Sequence, residues 1–557
     1  MFRLTCTILL ACVAANGQQL LYNGIRLPEV WPPPDVVLTN EPIPEPPYLV
    51  HPPPVIPIDV GRQLFVDEFL IERTDLRREY HRPEMYSGNP LLKANSVFYD
   101  PQDQFFKAWS RGPDGTLYVT SRDGVHWERP DPGKADLDLK PATNRVRIGG
   151  PNMVWLDLDE KDARRRYKGG RSMGHARPYV LFVSGDGIHW GQPVAESVPA
   201  GDATTFFKNP FRNVWVASLR DHDWTPATGP AVNWAISEEP PEKYRNYIGR
   251  LRRYWESSEF ETMVSYKSDE ELASNPKRAW GLMAAPLWVM ADRLDPRRVD
   301  LNVRPQLYNL DAVAYESLML GILTIWPGQF RDSEKAKYLT VGYSRDGFHW
   351  YRPDRRAFIA PTGKHGDWNF ANMQSLGGVC LVVGDRLYFF VSGRTGVPGK
   401  RASGEISAGL ATMRRDGFAS MDADGTPRFL TTRPVRFRGK RLFVNVDSTG
   451  GEMRVEVLDT NDRVLKGFSA DDCVPLRRDN TLAEVRWRGV ADLSAISGRP
   501  VKFRFLLRNA RLFAFWVSPD ERGSSNGYVA AGGPGFTSSR DTEGTRSYQS
   551  CCRPATW

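Results

Sequence analysis

The stretch Ser121-Arg122-Asp123-Gly124-Val125-His126-Trp127 decides the fold, because it recurs along the chain. Ser184-Gly185-Asp186-Gly187-Ile188-His189-Trp190 and Ser344-Arg345-Asp346-Gly347-Phe348-His349-Trp350 are further copies, and Arg414-Arg415-Asp416-Gly417-Phe418 is a worn fourth. Each copy follows a short β-rich run, such as Leu117-Tyr118-Val119-Thr120 before the first. Asp-Gly is a tight-turn dipeptide in which glycine takes a positive φ. Asp and Ser side chains bond turn amides, and the Trp packs back on the hairpin. The box marks one hairpin per structural unit. Its acids, and His126, His189 and His349, are read as architectural.

The copies start 63, 160 and 70 residues apart. The long interval holds two units of about 80 residues, one of which has lost its turn signature. Five units across residues 85–425, each with several short strands, predict a five-bladed β-propeller. Beyond residue 428 the pattern changes. Leu442–Val446, Met453–Val457, Ala483–Trp487 and Val501–Phe505 alternate with period two, which predicts a β-sandwich. The expected organisation is a signal peptide (1–17), a proline-rich spacer or surface strap (18–57), the propeller (58–427), the sandwich (428–519) and a loose Gly/Ser-rich tail (520–557).

Composition agrees with an all-β reading. Of 557 residues, 48 are Gly and 43 Pro, both costly inside helices. A hydrophobic share of 41% excludes global disorder. The net charge is +8, but the basic residues are spread along the chain rather than gathered in a stripe, which argues against nucleic acid as a partner. Met1-Phe2-Arg3 followed by the apolar run Leu4 to Ala15 reads as an export signal, placing the protein in the periplasm or outside the cell. Leu9-Leu10-Ala11-Cys12 also resembles a lipoprotein signal, with Cys12 as a possible lipid anchor. No apolar run reaches 18 residues, so no transmembrane helix is expected. The six cysteines form no Cys/His cluster, and neither metal nor cofactor is expected. Cys380 and Cys473 lie in well-patterned segments, and their pairing is open.

Five repeats followed by a sandwich resemble the family 32 glycoside hydrolases, related in fold to family 43. The nearer resemblance is to exported, family 32-like bacterial proteins of the kind found in planctomycetes. It is carried by Leu64–Ile71, Asn89-Pro90-Leu91-Leu92, the turn boxes, Ala314-Tyr315-Glu316-Ser317, Val383–Arg394 and Leu410–Phe418, and it covers about residues 58–540. The resemblance implies three acids around the propeller axis. The family motifs that hold them (Trp-x-Asn-Asp-Pro, Arg-Asp-Pro and Glu-Cys) are not intact here. Arg220-Asp221 is followed by His222, and Asp100-Pro101 leads into a hairpin turn. Sialidases have similar turn boxes, but with one more residue between Asp and Gly and with six blades.

Propeller sites form where innermost strands begin, which directs attention to polar residues there. Glu316 lies in an apolar run, where burial raises a carboxyl pKa as a general acid requires. It is the expected acid, unless it ion-pairs with an inner-strand arginine. Asp202, opening the third unit, is the expected base or nucleophile. Asn152, Asn372 and Gln374 are placed to bind sugar hydroxyls, Trp368 to stack on a ring, and Arg253 to grip an anionic sugar. The expected activity is hydrolysis of a glycosidic bond in an oligo- or polysaccharide by paired carboxylates. The alternative is a cell-surface carbohydrate-binding propeller. Two facing acids about 5–10 Å apart at the axis favour the first; one or none favours the second.

Overall fold

The computed structural model describes residues 18–112, 115–130, 145–146, 150–173, 177–223, 249–265, 285–298, 304–328, 335–397 and 404–549. The expected signal peptide, Cys12 and the pair Cys551-Cys552 lie outside them.

Five antiparallel sheets follow one another. The first holds Ser96–Asp100, Phe105–Gly112 and Gly115–Ser121, with Trp127–Glu128 and Arg145–Val146 at its outer edge. The second runs Met153–Leu156, Tyr167–Ser172, Arg177–Ser184, Ala195–Ala200, and the third Thr205–Asn209, Val214–Asp223, Gly249–Ser257, Leu287–Met290. The fourth is built on Gln306–Glu316, Leu318–Trp326 and Tyr338–Ser344. The fifth has Ala371–Ser375 and Leu381–Val383 beside Arg386–Arg394 and Ile406–Arg414. Its outer strand is Glu84–Met85, from before the first sheet, so the two ends of the propeller chain share one blade.

The first strand of each sheet meets its neighbours. The Val154 amide donates to Ser96 Oγ (3.0 Å), Lys208 pairs with Asp157 (2.9 Å), and Thr205 Oγ1 donates to the Leu310 carbonyl (3.3 Å). Ser375 donates to Asp311, and the Val97 amide donates to the Gly377 carbonyl (3.0 Å), returning from the fifth sheet to the first.

The turn boxes are built alike. In the first, Asp123 Oδ1 accepts from the amides of Val125 and His126 (2.9 and 2.8 Å), and Ser121 Oγ accepts from Gly124 N (2.9 Å). Gly124, Gly187 and Gly347 all have φ between +77° and +84°. The boxes also join blades, since the Trp109 indole donates to Gly187 O and that of Trp288 to Phe348 O, each at 2.7 Å. The unit without a box is the third, whose third strand ends at Ser257.

The sandwich faces a sheet of Asp479–Glu484, Arg441–Asp447, Ala510–Ser518, Ala419–Ala423 and Arg77–Tyr80, with Gln63–Leu64 beside Ala510–Ser518, against one of Ile71–Thr74, Arg428–Thr432, Lys502–Arg508 and Glu452–Leu458. Phe65, Phe503, Phe505 and Phe515 interlock between them. Two boundaries therefore move. Residues 58–80 and 419–427 supply strands to the sandwich rather than to the propeller.

Residues 18–57 form a strap rather than a free spacer. Tyr22 Oη donates to Ser317 O (2.5 Å), Asn23 Nδ2 donates to Arg345 O (2.9 Å), and Ile25 and Leu27 enter the sandwich-side core. The segment after Pro519 is not loose either. Tyr528–Val529 adds a short strand to Gln306–Glu316, the Tyr99 amide donates to Ala531 O (3.0 Å), and the Val382 amide donates to Gly532 O (2.9 Å). Ser539 Oγ donates to Asp159 (2.7 Å), and Tyr528 Oη donates to Pro210 O (3.3 Å). Through these contacts the segment touches all five blades at the ends of their inner strands. Cys380 lies in the fifth blade and Cys473 in the sandwich, each a buried free thiol.

Candidate functional site at the axial mouth

The C-terminal segment occupies one end of the axis, so the accessible end is where the inner strands start. Asp311 lies partway down from that end, 4% exposed, at the middle of the fourth blade's inner strand Gln306–Glu316. Its Oδ2 accepts from Asn309 Nδ2 (2.7 Å) and from Ser375 Oγ of the fifth blade. Its Oδ1 has no hydrogen-bond partner among the described residues. Burial raises the Asp311 pKa, against the opposing pull of Ser375 and the Arg252 charge. The result is a carboxyl biased toward its protonated form, at a point where three blades meet.

Arg252 crosses from the third blade to this point. It is fully buried, and its guanidinium donates to the carbonyls of Ala203 (2.8 Å), Ser218 (3.1 Å) and Tyr308, and to Asn309 Oδ1 (2.9 Å). Burial, reinforced by the Arg220 charge, lowers its pKa to about 9. No described carboxylate forms an ion pair with it, and carbonyl dipoles supply its compensation.

The expected pair Glu316 and Asp202 is not brought together. Asp202 is exposed at the mouth and ion-paired with Arg220. The neighbouring carbonyl of Ala203 shares Arg252 with that of Tyr308, which fixes Asp202 near the level of Tyr308. Glu316 lies eight residues further along the same extended strand, roughly 25 Å away at about 3.3 Å per residue. That is well beyond the separation at which two carboxylates share one glycosidic bond.

Glu316 is fully buried at the closed end, with φ +50°. Its carboxylate accepts from Arg415 Nη2 (2.9 Å), Ser525 Oγ (2.7 Å) and the Arg62 amide (3.1 Å). Asp416 and Asp541 complete the network on the same two arginines, each at 2.9 Å. Glu316 thus joins propeller, sandwich and C-terminal segment. Its ion pairing, not catalysis, accounts for a carboxylate in an apolar strand.

The remaining candidates divide. Asn372 (φ +59°) is buried at the start of the fifth blade, its amide donating to Lys335 O (2.8 Å) and its Oδ1 without a partner. Gln374, half-buried, lies two residues on, next to Ser375. Asn152 begins the second blade, half-buried. These three are at the mouth. Arg253 is on the third strand of its blade, held by Asp221 (2.6 Å) and the Ala285 carbonyl (2.8 Å), away from the inner strands. Trp368 is half-buried and packs over the backbone of Gly409, whose missing Cβ makes room for the indole. Among the described residues no group of three His, Cys, Asp or Glu could hold a metal ion.

No protein-family model matches the chain, and no curated protein matches it. Among solved structures it is similar to an N-acetylgalactosamine deacetylase from F. plautii in complex with blood group B trisaccharide, at 13% identity, over 62% of this chain and 96% of that one, with a TM-score of 0.34. A thermostable family-43 glycoside hydrolase gives 9%, 61% and 95%, and 0.35. A family 43 arabinoxylan arabinofuranohydrolase from Bacillus subtilis gives 9%, 78% and 99%, and 0.27.

Asp311 was missed in the sequence because the argument from a carboxylate in an apolar run applies equally to both acids of Asn309-Leu310-Asp311-Ala312-Val313-Ala314-Tyr315-Glu316. Chain direction separates them. In a propeller blade the inner strand enters from the mouth, and Glu316 stands at the hairpin end.

Proposed function

We propose that the protein binds a saccharide at the axial mouth, around Asp311, Asn309, Asn372 and Gln374. The observation that carries this reading is the buried Asp311 carboxyl on the inner strand of the fourth blade, with the unpartnered Asn372 Oδ1 at the start of the neighbouring fifth blade. Buried amides and carboxyls with vacant acceptor positions suit hydroxyl donors. The turn-box resemblance to glycoside hydrolases points to the same ligand class. Of the two rival activities, binding without cleavage is favoured, because the other carboxylate at the mouth, Asp202, is held in an ion pair with Arg220.

Hydrolysis is the second reading, favoured by the raised pKa of Asp311. A protonated carboxyl is what a general acid must be before it donates to a leaving oxygen. The test is a panel of neutral and acidic polysaccharides scored for retention by calorimetry and for release of reducing ends. Retention without release, abolished by Asp311→Asn, supports the binder. Release lost in Asp311→Asn establishes the hydrolase. No retention and no release by the wild type sinks both.

A further inference from the structure

The N-terminal strap leaves a cavity of about 550 Å³ against the third turn box, 344–350. It lies on the closed side of the propeller, remote from the mouth, because Ser344 pairs with Met319, just past the Glu316 hairpin. Ile25 and Leu27, which line it, belong to the sandwich-side core, so the cavity marks the junction of the two domains. Arg26, Pro28, His51 and Pro54 on its rim are exposed, and solvent reaches it. Small-molecule sites commonly have this size and this position.

The three intact boxes share a sequence pattern but not their surroundings. The His126 and His189 side chains are 76% and 51% exposed, whereas that of His349 is 27% exposed under the strap. Trp31 packs edge-on to His349 (6.1 Å) and Phe348 (5.5 Å), and Tyr48 Oη donates to the His349 carbonyl (3.3 Å). His349 Nδ1 donates to Asp346 (2.7 Å), which leaves Nε2 as an acceptor with no partner among the described residues. Asp346 is the one acid lining the cavity. Its oxygens are taken up by Ser344, by the amides of Phe348 and His349 and by that imidazole. A cationic ligand therefore finds no free counter-charge. The Arg26 guanidinium, in contrast, has no ion pair among the described residues. Most of the remaining wall is carbon, from six prolines with Trp31, Tyr48, Ile25 and Leu27. Proline and aromatic rings are stiff surfaces that lose little entropy on closing over a flat ligand.

We propose that this cavity binds a small aromatic acid carrying a ring hydroxyl. The ring lies against the proline and aromatic walls, the hydroxyl donates to His349 Nε2, and the carboxylate accepts from Arg26. The site is independent of the saccharide reading at the mouth. Calorimetry on the whole chain tests it with para-hydroxycinnamate, with its methyl ester, which lacks the charge, and with para-methoxycinnamate, which lacks the donor. The hydroxy acid should bind about tenfold more tightly than either. Arg26→Gln should remove the preference over the ester, and His349→Phe the preference over the methoxy acid. His126→Phe, at the same place in the first box, should change neither. Arg26 is exposed and unpaired, so Arg26→Gln should keep the wild-type Tm, and it carries the test if His349→Phe unfolds. Equal binding of acid and ester, or of hydroxy and methoxy acids, overturns the proposal, as does absence of binding by the wild type. Binding that survives both variants unchanged puts the probe elsewhere and overturns it too.

Discussion

The carboxylate of Glu316 and the guanidinium of Arg415 meet at 2.9 Å, both without solvent exposure, where the fourth blade, the fourth turn box and the C-terminal segment converge. Arg62, from before the first blade, closes on the same carboxylate at 3.4 Å. Removing one partner of a buried pair leaves the other uncompensated, at about 3–5 kcal/mol. Glu316→Gln should therefore lower the unfolding free energy by about 3 kcal/mol in urea titrations, with retention of saccharide by the folded protein unchanged. An unchanged midpoint together with lost activity would return Glu316 to the chemistry.

Acid sensitivity should come in part from Asp100, at the end of the first blade's inner strand. It is buried, and accepts from Lys107 (2.9 Å), Arg166 (2.9 Å) and Tyr167. Burial works to raise its pKa, but Lys107 and the hydrogen bonds prevail and hold it at about 2. A folded-state value below the ordinary 3.8 stabilises the fold above about pH 4, and that contribution is lost as pH falls toward 2. A shift of this size corresponds to about 2 kcal/mol. Stability measured from pH 5 to 2 should fall less steeply in Asp100→Asn than in wild type. Parallel curves would show that Asp100 carries no such share.

The two preceding residues show where the sequence was legible. Asp100-Pro101 read as a hairpin turn, and the inner strand does end there. The turn boxes gave five units, one of them without its turn, because Asp-Gly geometry is set locally, and the structure shows that unit to be the third. Sequence alone leaves Glu316 open between acid and ion pair, because Arg62, Arg415 and Asp541 are separated from it by about 100 to 250 residues. Local pattern says that a carboxylate in an apolar strand needs compensation, and only the fold says what supplies it. The same limit hid the C-terminal segment. Its Gly/Ser content reads as loose, yet small residues let its backbone reach the blade ends closely. Gly533, for example, sits where a Cβ would be 1.7 Å from the Val382 carbonyl.

The copies of the turn box should differ in tolerance although their sequences agree. Gly124 and Gly347 both have positive φ, which costs an alanine about 1 kcal/mol. At Gly124 the added methyl would meet Tyr388 at an ordinary 3.5 Å. At Gly347 it would fall 2.1 Å from Asn209 Nδ2, on a buried amide whose Oδ1 already accepts from the Phe211 N–H. Gly347→Ala should cost about 3 kcal/mol and Gly124→Ala about 1 kcal/mol, read from denaturant midpoints. Equal losses would mean that Asn209 yields freely.

The C-terminal segment should be part of the folding unit. Residues 525–541 bond to the inner strands or the loops after them in every blade, and Asp541 pairs with Arg415 at 2.9 Å. Ending the chain at Pro519 removes these bonds and two carboxyl or hydroxyl partners of the buried arginine–glutamate network, Asp541 and Ser525. It also uncovers the edge of Tyr315–Glu316 that Tyr528–Val529 pairs. Unpaired buried backbone groups and a bare strand edge favour unfolding and aggregation. The truncated chain should lose cooperative unfolding or precipitate, and Asp541→Asn should reproduce part of the loss, about 2–3 kcal/mol, in a soluble protein. A truncated chain that unfolds with the wild-type midpoint would reduce the segment to a passive cover over a self-sufficient propeller.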